Sequence, residues 1–332
     1  MPKYGPHLKG IEKEIHSKIS ELGLVPKYVF DEKKHQERFY TEPCRDAKGK
    51  KVIFKMRTEN FGETKEYFRR EIRINQLFTK CYKEDGKLSV PKFIKGDAEH
   101  IPEWMVYEFI EGHEAGDFYN GLESDNIERI SLESLMKGIE NMHRMSALAQ
   151  GEIKLVAEKY ENFKVAYQKN SKVLKPFFTE KEIKTGFEIL ESRKRILDTK
   201  NKTITHGDLH PGNLIIKKKN DIAIIDWYYV HLNNVAFDIA FFFLEISDKK
   251  FQNKVLEKFV SELVDDENEF WQLFRLNILR LAPQKISVLR DALYVAEPVK
   301  EDYYAKLTPK GVAKLEVNLE AFQKALLGND FL

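Results

Sequence analysis

The sequence predicts an α+β protein of two lobes: a small N-terminal antiparallel β-sheet with one helix, followed by a larger, mostly α-helical C-terminal lobe. Three observations lead there. In the first third, apolar residues fall into short aromatic and β-branched segments separated by polar turns, the pattern of an antiparallel meander. Beyond Ile127 they recur at three- and four-residue steps, the pattern of helices with one buried face. A length of 332 residues exceeds one average domain, and Gly112, Gly116 and Gly121, interleaved with acids, mark a break near Glu108 to Gly112. The boundaries follow as an N-terminal lobe over residues 1–107, a hinge over 108–112 and a C-terminal lobe over 113–332.

Leu8, Ile11, Ile15, Ile19 and Leu22 form one stripe that stops at Gly23, which predicts an amphipathic helix. The segments Tyr28-Val29-Phe30, Arg38-Phe39-Tyr40 and Val52 to Met56 then read as strands, with Asp46 to Lys50 as a turn. Alternation in the last of them puts Ile53 and Lys55 on one face and Val52, Phe54 and Met56 on the other. By itself that strand would let Lys55 snorkel into water from a sheet edge. The next helix, Glu63 to Lys80, aligns Tyr67, Glu71, Ile74 and Phe78. A carboxylate in that stripe is costly to desolvate without a cation, and Lys55 is the obvious partner.

Leu88 to Lys95, with Pro91 favouring a sheet edge, and Glu103 to Ile110 complete the first lobe. Helices are expected over Ile127 to Met145, along the heptad-like run from Ile153 to Leu174, and over Glu180 to Leu197. Further helices are expected over Asp238 to Leu244, Asn253 to Leu263, Asn268 to Leu281 and Ala313 to Leu326. His143 lies on an apolar stripe and is expected to be a hydrogen-bonded core histidine.

Composition narrows the function classes. Fifty-five basic against 53 acidic residues leave a net charge of +2, too little to hold nucleic acid or an anionic membrane. Cys44 and Cys81 form no C-x-x-C pair, which disfavours structural zinc and a disulfide scaffold. Neither a signal peptide nor a bilayer-length apolar run is visible, so a cytoplasmic protein is expected.

The chemistry concentrates where strands interrupt the helices. Thr205-His206-Gly207-Asp208-Leu209-His210-Pro211-Gly212-Asn213 is a turn between strands, and a later strand ends in Ile225-Asp226-Trp227. Asp208, Asn213 and Asp226 thereby meet near one mouth. Two carboxylates and an amide oxygen are hard ligands, suited to Mg2+ shared with substrate phosphates, and one carboxylate could instead accept a proton.

HGDLHPGN followed by IIDW resembles the catalytic and metal-binding loops of the aminoglycoside/choline phosphotransferase family, which has a protein-kinase-like fold. Lys55, Glu71, the hinge-like Tyr107 to Gly112 and Phe237-Asp238-Ile239-Ala240 follow in the family's order. The resemblance implies a kinase that moves the γ-phosphoryl group of ATP or GTP to a hydroxyl of a small molecule such as an aminoglycoside, sugar or amino alcohol. It implies that Asp208 orients or activates the acceptor, that Asn213 and Asp226 hold Mg2+, and that Lys55, paired with Glu71, meets the α/β-phosphates. Ile53 would border the adenine, and backbone groups of Glu108, Phe109 and Ile110 would hydrogen-bond its edge. His206 and Asp238 would brace the loop.

The connection Asp31 to Glu37 contains no glycine, which puts phosphate cradling there in doubt. The bulk of Trp227-Tyr228-Tyr229 is expected to narrow the metal or acceptor side. A nucleotide-binding scaffold without turnover is the alternative reading, and a metal hydrolase using His206, Asp208 and His210 is a second rival. Asp238 follows Asp226 by twelve positions, which leaves no room for a protein kinase's activation loop. Acidic stretches at Glu111 to Asp125 and around Asp265 to Glu269 could receive a cationic acceptor or be solvated faces. Sequence leaves the acceptor, ATP against GTP and the oligomeric state open.

Overall fold

The computed structural model describes residues 8–27, 39–58, 62–81, 90–146, 149, 153–200, 202–295 and 298–332. The Tyr28-Val29-Phe30 strand, Arg38, the Asp31 to Glu37 connection and the start of the Leu88 segment lie outside the described residues.

Helix α1 (Leu8–Glu21) leads into strands β1 (Val25–Pro26), β2 (Phe39–Arg45) and β3 (Lys51–Arg57). Helix α2 (Gly62–Cys81) follows, then β4 (Phe93–Asp97) and β5 (Trp104–Glu108). The strands make one antiparallel sheet in the order β1-β2-β3-β5-β4. At the β2–β3 turn the Asp46 carboxylate accepts the N–H groups of Lys48 and Lys50, both at 2.9 Å, and Gly49 takes a φ of +76°. β3 is central, so Lys55 is no edge lysine. On one face Val52, Phe54 and Met56 pack with Ile15 and Ile19 of α1. On the other, Phe39 and Met105 meet Phe68 and Ile72 of α2.

α2 is buried on two sides, because its Ile74, Leu77 and Phe78 join the core of the second lobe. Glu71, between those stripes, is only 1% exposed. That double burial rules out a helix rotated to leave Glu71 at its margin.

The second lobe opens with β6 (His113–Glu114), β7 (Gly116–Asp117) and β8 (Gly121–Leu122). Helices α3 (Leu132–Arg144), α4 (Tyr160–Asn170), α5 (Glu180–Ser192) and α6 (Lys194–Lys200) come next. Strands β9 (Thr203–Thr205), β10 (Leu214–Ile216), β11 (Ile222–Ile224) and β12 (His231–Asn233) then carry the turns of the site. Helices α7 (Phe237–Phe243), α8 (Lys249–Leu263), α9 (Glu267–Asp291), α10 (Lys300–Lys306) and α11 (Pro309–Leu327) complete it. β10 pairs with β11 on one side and with β6 on the other. The hinge is thereby stitched to the strands of the site. At Gly112 a Cβ would sit 2.3 Å from the Ile216 carbonyl oxygen, so only glycine lets the hinge cross there.

Several expected helices are cut by local chemistry. The Ile127 segment is a 3-10 turn (Ser124–Arg129), and α3 starts only where the Ser131 hydroxyl accepts the Ser134 N–H at 3.1 Å. Ile153 to Lys159 is not helical: Val156 and Glu158 exchange backbone bonds with Leu232 at 3.0 and 2.8 Å, and that pairing overrides the heptad step. A Thr179–Glu182 capping box opens α5, and the chain kinks at Arg193 before α6. α9 runs past Leu281 through Pro283, with Ala282, Ile286 and Leu289 buried around the proline. His143 is in the core as expected, against Phe259, and its buried Nε2 has no hydrogen-bond partner among the described residues. Among the described residues no helix is long and apolar enough to cross a membrane.

Candidate active site

The turn after β9 is built on buried hydrogen bonds. The Asp238 carboxylate, at the start of α7, accepts the N–H groups of His206 at 2.7 Å and Gly207 at 3.1 Å. The His206 ring fixes both sides of the turn: Nε2–H donates to the Ile225 carbonyl at 2.9 Å, and Nδ1 accepts the Asp208 N–H at 3.3 Å. Burial pushes that imidazole down to about 4, so it is neutral, and both nitrogens are occupied. His206 is therefore a brace and no metal ligand, which removes the hydrolase reading built on it. Gly207 takes a φ of +83°, and a Cβ there would lie 2.3 Å from the Tyr229 carbonyl oxygen.

Asp208 stands half-buried at the mouth, its Oδ2 3.7 Å from His210 Nε2. Burial pushes its carboxyl up to about 7, opposed mainly by the positive charge of Lys285. Asn213 is tied to it: its Nδ2 donates to the Asp208 carbonyl at 2.9 Å, and its backbone carbonyl accepts the Ile225 N–H at 3.0 Å. The first bond orients the amide and leaves Oδ1 as its oxygen donor.

Asp226 follows β11 with a φ of +62°, in the left-handed region that aspartate tolerates better than most residues. Its Oδ1 lies 2.7 Å from Lys55 Nζ, and its side chain is 45% exposed. The same ammonium donates to Glu71 Oε1 at 2.8 Å and Oε2 at 2.9 Å. Phe39 and Phe68 flank it, with ring centroids 4.9 and 5.9 Å away. Burial pushes the Glu71 carboxyl up, whereas Lys55 more than offsets burial at Asp226 and holds its carboxyl below the usual range. One lysine thus joins two acids from different lobes.

The fold therefore brings Lys55, Glu71 and Asp226 into contact, with Asp208 and Asn213 on the adjoining turn. Ile53 lies on the Lys55 face of β3, paired in register with Tyr107. Glu108, Phe109 and Ile110 are half-buried in the hinge, and the Glu108 N–H donates to the Lys92 carbonyl at 2.9 Å. Of the three bulky residues expected to narrow the metal or acceptor side, Trp227 and Tyr228 are turned into packing, and Tyr229 is 38% exposed. Trp227 is buried with Nε1–H donating to the Ile224 carbonyl at 3.2 Å, between Phe78 and His206, and Tyr228 packs on Phe39 and Tyr67.

Sequence reading missed the neighbours of Asp208 on the side of the β7–β8 loop. The β7–β8 loop packs on the turn, with Phe118 edge-on to His210 at 5.2 Å. Beneath it Glu245 pairs with Lys285 and Lys314, each at 2.5 Å. Only Glu245, following α7 at the end of a phenylalanine run, carried a signal: an acid beside so apolar a stretch demands a buried cation.

The donor set suits a magnesium–phosphate complex. Asp226, its side chain 45% exposed, and the oriented Asn213 amide are two hard oxygen donors, and among the described residues no cluster of three or more His, Cys, Asp and Glu side chains is placed to hold a metal by itself.

Residues 44–270, more than half of the chain, match the model of the phosphotransferase enzyme family. A curated relative, a LicA homolog from Mycoplasma capricolum, is 26% identical over 189 residues, which span 54% of this chain and 64% of that protein. The choline kinase LicA from Streptococcus pneumoniae superposes with a TM-score of 0.54 at 16% identity, covering 95% of this chain and 99% of its own. A macrolide 2'-phosphotransferase from Brachybacterium faecium gives 0.56 at 14%, covering 90% and 98%. The GDP complex of aminoglycoside 2'-phosphotransferase-IIIa gives 0.59 at 13%, covering 96% and 99%. At these identities the likeness is one of fold.

Proposed function

The chain belongs to the phosphotransferase enzyme family, and on that premise we propose that it is a small-molecule kinase, transferring the terminal phosphoryl group of ATP or GTP to a hydroxyl. The observation that carries this reading is the Lys55 ammonium, 2.8 Å from Glu71 and 2.7 Å from Asp226, which aligns the β-lobe with the Asp208–Asn213 turn. Structures of similar fold are named as a choline kinase, a macrolide phosphotransferase and an aminoglycoside phosphotransferase, the last of them a GDP complex.

In this reading Lys55, oriented by Glu71, neutralises the donor phosphates, and Ile53 with the hinge backbone at Phe109 and Ile110 borders the base. The Glu108 N–H is engaged by Lys92, so its carbonyl is the group it offers there. Asn213 and Asp226 would hold Mg2+, which would supply charge neutralisation along the phosphates. Asp208 accepts the acceptor's hydroxyl proton as the new O–P bond forms; the bond from the γ-phosphorus to its bridging oxygen breaks, and the nucleoside diphosphate leaves with the electron pair. A carboxyl pushed up to about 7 is a stronger base than an ordinary aspartate and remains partly ionised at neutral pH. Positioning supplies the rest, since a loose transition state asks little covalent chemistry of the protein.

Asp208→Asn tests it, being isosteric. Turnover, read as nucleoside diphosphate release over a panel of hydroxyl acceptors, is expected to fall on the order of 10²–10⁴-fold with nucleotide affinity nearly unchanged. Undiminished turnover sinks the assignment.

A further inference from the structure

Beneath the acceptor side of Asp208 lies a group of charges that phosphoryl transfer does not use. Lys285 of α9, Lys314 of α11 and Glu245 after α7 are 2%, 1% and 1% exposed. Both lysines lie 2.5 Å from the glutamate, so two buried cations share one anion. Replacing such a triad with apolar residues is commonly neutral or stabilising, so its retention asks for a use other than stability. Lys285 and Lys314 also lie beyond residues 44–270, the part that matches the family.

The ammonium groups are stacked on aromatic rings. Lys285 Nζ is 3.2 Å from the Phe241 centroid and 5.7 Å from that of Phe118, and Lys314 Nζ is 5.8 Å from Phe118. Lys314 also donates to the Phe118 carbonyl at 2.7 Å, which pins the β7–β8 loop. Phe118 in turn meets His210 at 5.2 Å, and His210 lies 3.7 Å from Asp208. Aromatic faces of this kind are what proteins offer to a quaternary or protonated amine. Here they already carry the protein's own cations. Burial pushes the Lys285 ammonium down to about 8, which still leaves it charged at neutral pH.

Four of the acids that could draw a cationic acceptor are engaged within the protein. Glu111 pairs with Lys51 at 2.8 Å and Glu269 with Lys200 at 2.5 Å. Asp266 caps α9 through the Glu269 N–H at 3.0 Å. Asp117 accepts the N–H groups of Tyr119 and Asn120 and the Asn120 side chain, at 2.7, 2.8 and 2.9 Å.

We propose that Lys285 and Lys314 occupy with their own ammonium groups the aromatic surface beside Asp208, and so restrict the acceptor to uncharged or anionic hydroxyl compounds, excluding those with a fixed cation near the reacting hydroxyl. This rests on the kinase reading for the identity of the site. The lysines act on specificity through Phe118 and their charge, without touching the reacting atoms.

The test compares acceptors matched in shape and differing in charge: glucosamine, glucose and glucuronate, and choline against its uncharged carbon isostere. Binding is measured by calorimetry or saturation-transfer NMR with Mg2+ and ADP or GDP present, and turnover by nucleoside diphosphate release, for the wild type, Lys285→Met and Lys314→Met. The wild type is expected to favour the uncharged or anionic member of each set by at least about tenfold. Lys285→Met should erase most of that preference while affinity for the uncharged member shifts by less than about threefold; Lys314→Met serves the same purpose if the first variant folds poorly. A cationic member that binds best in the wild type, or a preference unchanged in both folded variants, overturns the proposal. Charge-selective binding with no turnover of any acceptor would leave the specificity intact and sink the kinase reading.

Discussion

The chain buries two ionic clusters that look alike in composition and differ in balance. Lys55 serves two carboxylates, Glu71 and Asp226, and the group reaches across the lobes to an aspartate whose side chain is 45% exposed. Glu245 serves two lysines inside one lobe, with all three side chains at most 3% exposed. The first carries one negative charge too many and faces the mouth of the site, so it can exchange a partner for a metal or phosphate. The second carries one positive charge too many and is closed to water, so no solvent ion screens it. An open cluster is suited to turnover, and a sealed one to selection.

Removing the shared partner from each cluster separates these roles. Glu245→Gln would leave two buried lysines without an anion, and about 3–5 kcal/mol of stability should be lost, read by chemical denaturation. A loss under about 1 kcal/mol would mean that water reaches the cluster. In the open cluster the expected signature is kinetic. Lys55→Met should cut kcat/KM by roughly 10²–10³, as for loss of one charge-stabilising donor, with the folded state retained. Because burial already pushes the Glu71 carboxyl up, that acid can take a proton when its lysine is gone. The smallest effect belongs to Lys51–Glu111, an ion pair of equal length at 2.8 Å with both side chains about half exposed. Lys51→Ala should change stability by less than about 1 kcal/mol, measured by thermal denaturation. A larger change would show that burial is not what separates the three pairs.

How far the sequence could be read follows the same division. Lys55 and Glu71 were legible because each is an anomaly on an otherwise apolar pattern, and the two explain each other. Asp208, Asn213 and Asp226 were legible because the site is contiguous in sequence. The acceptor side was not. Phe118 and Glu245 come from a loop and a turn, Lys285 and Lys314 from two separate helices, and no local spacing links them. Helix limits failed where a tertiary partner decided them: Leu232 holds Val156 and Glu158 extended against their periodicity. The bulk of Trp227 and Tyr228 was legible, but its direction was not, since Phe78 and Phe39 that receive it lie far away in sequence.

The left-handed backbone at Asp226 has a consequence for what this chain can become. A residue with a Cβ gives up about 1 kcal/mol there, less for aspartate and asparagine, and glycine would relax it. The backbone thus favours three residues at this position. Only one of them also brings a negative charge to within 2.7 Å of Lys55. Selection for stability alone would drift toward glycine, away from the one carboxylate that reaches across to the other lobe. In the kinase reading proposed above, aspartate here trades conformational comfort for chemistry, and a descendant stabilised by glycine at this position is expected to be silent.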